Sequence, residues 1–223
     1  MLAPLAAVVL FLAAIISAFW YLRLEEVDRE HEAVKRDVEY AQQRIRLRLL
    51  ERQEQLMRVA REASNREIDL EEFSSRAETL VSQYPELQAV TWIDERRRIR
   101  ASYAAPSVNS GQMRIPGSTL RPGETESMFG LARDVMQPVY SQPAAGTDTT
   151  GLLQLHIPLG DQGRFHGVVL AEYSIDGLLR YTVPAEVAAK YAVALLDSKG
   201  RMLAGAAVPP RIQATNALSF SSL

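Results

Sequence analysis

Residues 151–184, GLLQLHIPLGDQGRFHGVVLAEYSIDGLLRYTVP, carry the pattern that decides the fold. Two apolar runs, GLLQLHIPLG and FHGVVLAEYS, are joined by DQGR, whose Asp, Gly and short length suit a β-hairpin. The runs are rich in Leu, Val and Ile and read as neighbouring central strands of one antiparallel sheet. A short helix is expected around Gly177–Tyr181, and Pro184 is placed to open another.

Outward from this hairpin the texture stays that of short strands and turns. LQAVTWID, the turn ERRR and IRASY, over residues 87–103, read as a second hairpin. Ala104 to Glu126 is rich in Ser, Pro and Gly and reads as a long loop, the kind of segment that often carries function in a compact domain. MFGLARDVMQPVY has helical spacing that Pro138 ends, and SQPAAGTDTTG is again turn-rich. On the C-terminal side, YAVALLDSKGRMLAGA gives strand, Ser-Lys-Gly turn and strand. Helices followed by strands in this order make an α+β fold, with helices covering one face of an antiparallel sheet.

Upstream, the chain from Arg23 to Ser82 has no Gly or Pro. Leu24, Val27, His31, Val34, Val38, Ala41 and Ile45 recur at spacings of three and four, which lines one face of a long helix and suits a parallel dimer. Within that seam His31 reads as a register-setting residue. Glu25 with Arg29, and Glu32 with Arg36, are acid-to-base pairs four residues apart that support the solvated face. The pattern loosens over Ser64–Asp69 and resumes as a second helix, Leu70 to Ser82.

Leu2 to Leu22 contains no charge and matches the length needed to span a bilayer. Phe19, Trp20 and Tyr21 followed by Arg23 place amphipathic rings and a charge at headgroup depth. Without a basic segment before it, and with bulky aromatics where a cleavage site needs small residues, the run reads as an uncleaved anchor rather than a signal peptide.

Several function classes drop out on composition. A net charge of -2 over 223 residues provides no field for nucleic acid. With no cysteine, thiolate catalysis, disulfides and Cys-based metal sites are excluded. There is no G-x-S-x-G, Walker A, H-E-x-x-H or GxGxxG motif, and the three histidines lack metal or triad spacing. Neither an enzyme activity, a cofactor nor a metal is expected of this chain.

VTWIDERRRIRASY, then PVYSQPAAG, then LLQLHIPLGDQGRFHGVVLAEYSIDGLLRYTVP, resemble the PAS-like extracytoplasmic sensor modules, often called Cache domains, of proteobacterial sensor histidine kinases. YAVALLDSKGRMLAGA looks like the first hairpin of a second such module, as in double-Cache receptors. The resemblance implies a transmembrane helix at 1–22, a helical stalk at 23–63, a sensor domain at 64–184 and the start of an incomplete second module at 185–223. It also implies a sensor domain in the periplasm, anchored in the bacterial inner membrane and dimeric through its stalk. A second span and a kinase output domain would lie outside these residues.

The same resemblance implies a small organic ligand held between the sheet and the loops and helix above it. Mapped onto this sequence it points to Trp92, Arg100, Ser102, Tyr103, Tyr140, Ser141, Gln154, His156 and Glu172. Strand alternation groups Gln154 with His156, and Arg100 with Ser102, while leaving open which face meets the ligand. Arg100 would clamp a carboxylate bidentately, and Trp92, Tyr103 and Tyr140 would supply aromatic walls. The competing reading is a membrane-tethered coiled-coil scaffold with a structural α/β cap, which would fill the layer under the loop with apolar side chains.

Overall fold

The structure is a computed structural model that describes residues 3–108, 114–120, 123–141, 151–161, 163–197 and 199–205, with backbone alone at 3–10, 13, 22–28, 30, 31 and 124. The chain divides into two compact units, Met1–Gln43 and Arg44–Leu223. The first consists of helix: α1 runs from Ala3 to Ser64 and continues into the second unit. Among the described residues no helix is long and apolar enough to cross a membrane. The expected span at 1–22 and the start of the heptad seam at Leu24, Val27 and His31 lie largely outside the residues whose side chains are described.

In the second unit the end of α1 is followed by α2, Leu70–Gln83. Asp69 caps α2 by accepting a hydrogen bond from the Glu72 amide at 2.8 Å, which restarts the helix after the loosened stretch. The strands β1, Leu87–Asp94, and β2, Ile99–Ala104, form the first hairpin. Then come α3, Glu124–Val135, and the short β3, Val139–Tyr140. The long strands β4, Leu152–Asp161, and β5, Arg164–Ser174, form the second hairpin. The five strands make one antiparallel sheet in the order β2-β1-β5-β4-β3, so the two long strands sit side by side as their composition required. α4, Ile175–Thr182, and α5, Ala185–Lys190, lead into a separate pair, β6, Ala194–Leu196, and β7, Met202–Gly205.

Alternation along the strands divides the sheet into two faces. One carries Val90, Ala101, Leu155, Ile157, Val169 and Tyr173, and is covered by the end of α1, through Leu56, Val59, Ala60 and Ala63, and by Phe73, Ala77 and Val81 of α2. The opposite face carries Ile93, Ile99, Val168 and Leu170 under Phe129 and Ala132 of α3 and Leu120 of the long loop. The sequence placed all helices on one face; α3 instead closes the second. The reason is that Val168 and Leu170 are as apolar as their neighbours Val169 and Ala171, so β5 needs cover on both sides.

The two short turns are built alike. Asp94 Oδ1 accepts from the amides of Arg96 and Arg98 at 2.9 and 2.8 Å, and Asp197 Oδ1 accepts from those of Lys199 and Arg201 at the same two distances. Arg97 and Gly200, three residues after each Asp, both have positive φ. A register shift follows at the residue before each Asp, between Trp92 and Ile93 and between Leu195 and Leu196. The hairpins β1–β2 and β6–β7 therefore share side-chain-capped turn, left-handed residue and bulge.

Candidate functional site

On the face under α3 the register sets Gln154 opposite Glu172, and in the next row His156, Leu170, Thr91 and Ser102 side by side. Two of these strand residues meet a chain of polar groups that reaches up to the cover. Arg114, in the loop between β2 and α3, donates from Nε to Glu172 Oε2 at 2.9 Å and from Nη2 to Oε1 at 2.7 Å. Gln154 Nε2 donates to the same Oε1 at 2.9 Å, and Thr125 Oγ1, in the first turn of α3, donates to Gln154 Oε1 at 3.0 Å. Glu172 is 5% exposed, so its charge is held by a bidentate guanidinium and an amide rather than by water. Thr91 and Ser102 share a hydroxyl hydrogen bond of 2.8 Å across β1 and β2.

His156 lies beside this chain with no exposed surface. Neither Nδ1 nor Nε2 makes a well-formed hydrogen bond among the described residues, the Thr125 backbone carbonyl being the one acceptor that the ring meets, an arrangement that buried polar groups rarely adopt without a ligand or water to complete them. Burial, aided by the positive charge of Arg114 and opposed by the Thr125 backbone carbonyl, brings its pKa down to about 4, so the ring is neutral at physiological pH. Among the described residues Arg114 is the charged group whose field reaches it, and Glu172 is held on that same guanidinium.

A measurable pH dependence follows. The unfolded chain takes up the proton near pH 6.5 and the folded one only near 4, so between these values the unfolded state binds more protons and stability rises with pH. His156 therefore contributes fully above about pH 6.5, and about 3 kcal/mol is lost as the pH falls toward 4. Urea denaturation at pH 4.5 and 7 is expected to show this slope, and His156→Leu to remove most of it. An unchanged slope in the variant would show that His156 is not buried neutral.

Of the residues read from the sequence, the structure brings together Gln154, His156, Glu172 and Ser102 on the face under α3. Ser141 joins them at the edge: its buried Oγ accepts from the Gln154 amide at 3.0 Å, and its own amide donates to the Gln154 carbonyl at 2.8 Å. Trp92, Tyr103 and Tyr140 are set on the opposite face. Trp92 packs on Phe73 of α2 at 5.4 Å between ring centroids, and Tyr103 Oη lies 3.5 Å from Glu78. Tyr140 donates to Gln53 Oε1 of α1 at 3.2 Å, and burial pushes its pKa up to about 12.

Arg100 does not share a face with Ser102. The bulge leaves Arg100 unpaired between Ile99, buried under α3, and Ala101, buried against the helices. Its side chain is 51% exposed and 3.7 Å from Asp94. Sequence reading missed Arg114 and Thr125. The signal for Arg114 was indirect: an acid in a strand as apolar as VVLAEY needs a cationic partner, and the loop already singled out contains Arg114.

No protein-family model matches the chain, and no curated protein does. Solved structures do match. A protein described as methyl-accepting chemotaxis protein X aligns with TM-score 0.54 and 16% identity over 80% of this chain and 74% of its own. The ligand-binding domain of the Campylobacter jejuni chemoreceptor Tlp3, in complex with L-norvaline, aligns with TM-score 0.56 and 10% identity over 80% and 70% of the two chains. That of the Pseudomonas aeruginosa PAO1 amino acid chemoreceptor PctC, in complex with GABA, gives 0.50 and 12% over 80% and 74%. At these identities the likeness is one of fold, and the chain has the α+β fold of chemoreceptor ligand-binding domains.

Proposed function

We propose that this chain is the ligand-sensing input region of a membrane-bound signal-transduction receptor, with a small organic molecule bound between the sheet and the α3 cover. The observation that carries this reading is fully buried His156, with neither ring nitrogen in a well-formed hydrogen bond among the described residues, beside the Arg114–Glu172–Gln154–Thr125 chain. A structural cap would fill that layer with apolar side chains, as the other half of the same face does around Phe129 and Val168. The shared fold of chemoreceptor domains supports the same reading.

The finer parts of the proposal come from the sequence. Residues 1–22 anchor the chain in the bacterial inner membrane, supported by the absence of charge and by the exposed Phe11, Ile16, Phe19, Trp20 and Tyr21. The sensor lies in the periplasm, dimerises through the stalk and feeds a histidine kinase output. β6–β7 begins a second PAS-like module, supported by its turn and bulge being those of β1–β2.

Within Arg44–Leu223, neighbouring residues of β3 join the candidate site to α1. Val139 pairs with His156 and Ser141 binds the Gln154 backbone, while Tyr140 between them reaches Gln53 of α1. Ser64 Oγ accepts from the Gly160 amide at 3.1 Å, and buried Arg52 of α1 approaches Glu86 at 3.4 Å. Ligand that repositions β4 or β3 would thereby bias α1.

Thermal unfolding of the purified full chain, screened against organic acids, amino acids and aromatic metabolites, tests the reading. A compound present at 100 times its Kd adds about 2.7 kcal/mol and moves the transition by several degrees. We expect at least one such compound, its effect lost in Thr125→Ala and kept in Arg100→Ala. A transition that stays fixed across the whole library would favour the scaffold reading.

A further inference from the structure

The charges at the candidate site are already matched. Glu172 Oε1 accepts from Arg114 Nη2 and Gln154 Nε2, and Oε2 accepts from Arg114 Nε, so its carboxylate holds three donors. Glu126 in the first turns of α3 is paired with Arg97. An incoming ammonium group therefore meets no free carboxylate among these, and burying it beside Arg114 would set two cations together.

The unused hydrogen-bonding capacity is of the opposite kind. Arg114 Nη1 makes no hydrogen bond among the described residues, because the bidentate contact uses Nε and Nη2. A neutral imidazole at His156 turns its N–H to the Thr125 backbone carbonyl and adds one lone pair without a partner among the described residues. A guanidinium edge suits a carboxylate, and the imidazole lone pair suits a hydroxyl.

We propose that the site takes a small carboxylic acid without an ammonium group, and a hydroxy acid in preference to its deoxy form. Arg114 Nη1 and His156 bind it while Glu172 holds the guanidinium in place. Glu172 is then a positioning residue, turned toward Arg114 rather than toward the ligand. This inference rests on the sensor reading given above.

Isothermal titration of the full chain with matched pairs tests it: lactate, propionate, alanine and propylamine as one set, malate, succinate and aspartate as another. The expected result is that, in at least one set, the hydroxy acid binds about tenfold or more tighter than the amino acid, and that propylamine does not bind. Tighter binding of alanine or aspartate would overturn the inference while leaving the sensor reading intact, since a ligand would still be bound. Silence from both sets would also overturn it, and only silence from the wider library as well would remove the sensor reading.

Two variants place the binding. Arg114→Gln combined with Glu172→Gln removes both charges at once, leaves no buried charge unpaired, and is expected to weaken the acid about tenfold or more. His156→Leu is expected to abolish the preference of lactate over propionate. Folded variants, verified by a cooperative thermal transition, that bind as the parent does would put the ligand elsewhere and overturn the proposal.

Discussion

Gly167→Ala is expected to destabilise the sensor module by more than about 4 kcal/mol, the range reached only by a clash or strain that the core cannot absorb. Gly167 lies in β5 between Asp94 of β1 and Leu159 of β4. Its φ of +141° is one that residues with a side chain rarely adopt. A Cβ there would lie 2.1 Å from the Ile93 carbonyl oxygen and 2.9 Å from the Asp94 Cα. Both neighbours are backbone of a central strand, so neither can yield without breaking the β1–β5 ladder. Gly163→Ala, in the adjacent turn, is the control: φ is +80° and nothing lies within 4 Å, so only the left-handed conformation is penalised, by about 1 to 2 kcal/mol. Urea denaturation of the two variants should separate them clearly, and similar values would mean that β1 and β5 do not approach as described.

Arg114→Leu is expected to cost about 3 to 5 kcal/mol, the usual loss when one member of a buried ion pair is removed. The exposures of the two side chains, 17% and 7%, place the pair in that class rather than among surface pairs. The penalty should be asymmetric. Glu172 is fixed on a central strand and cannot reach water once Arg114 is gone, whereas Arg114 belongs to a loop and can turn outward when Glu172 becomes neutral. Glu172→Gln should therefore cost only about 1 kcal/mol. If the two substitutions prove equally mild, the guanidinium does not sit on Glu172 in solution, and the ligand class inferred from that contact falls with it.

These two positions show how differently the fold and the site were written in the sequence. Apolar runs around DQGR were enough to pair β4 with β5, and the loosened pattern over Ser64–Asp69, Pro138 and Pro184 marked helix ends close to where they occur. Such signals are local: a turn, a cap or a two-residue period is encoded by residues a few positions apart. The same local period correctly put Gln154 beside His156. It failed for Arg100 and Ser102, since a bulge changes the count by one residue and leaves no mark in IRASY.

By itself, then, the sequence determined an α+β sheet with its central hairpin, the approximate helix limits, and the shared face of Gln154 and His156 in β4. The tertiary structure alone decided what covers that face. Once Leu56, Val59 and Phe73 cover one side, Tyr140, Trp92 and Tyr103 are committed to the helices and His156 and Glu172 to the space under α3. Arg114 reaches Glu172 across 58 positions of sequence, a separation over which no periodicity carries information. Its partner was set by the cost of leaving a carboxylate buried alone, and that cost exists only after the sheet has been covered.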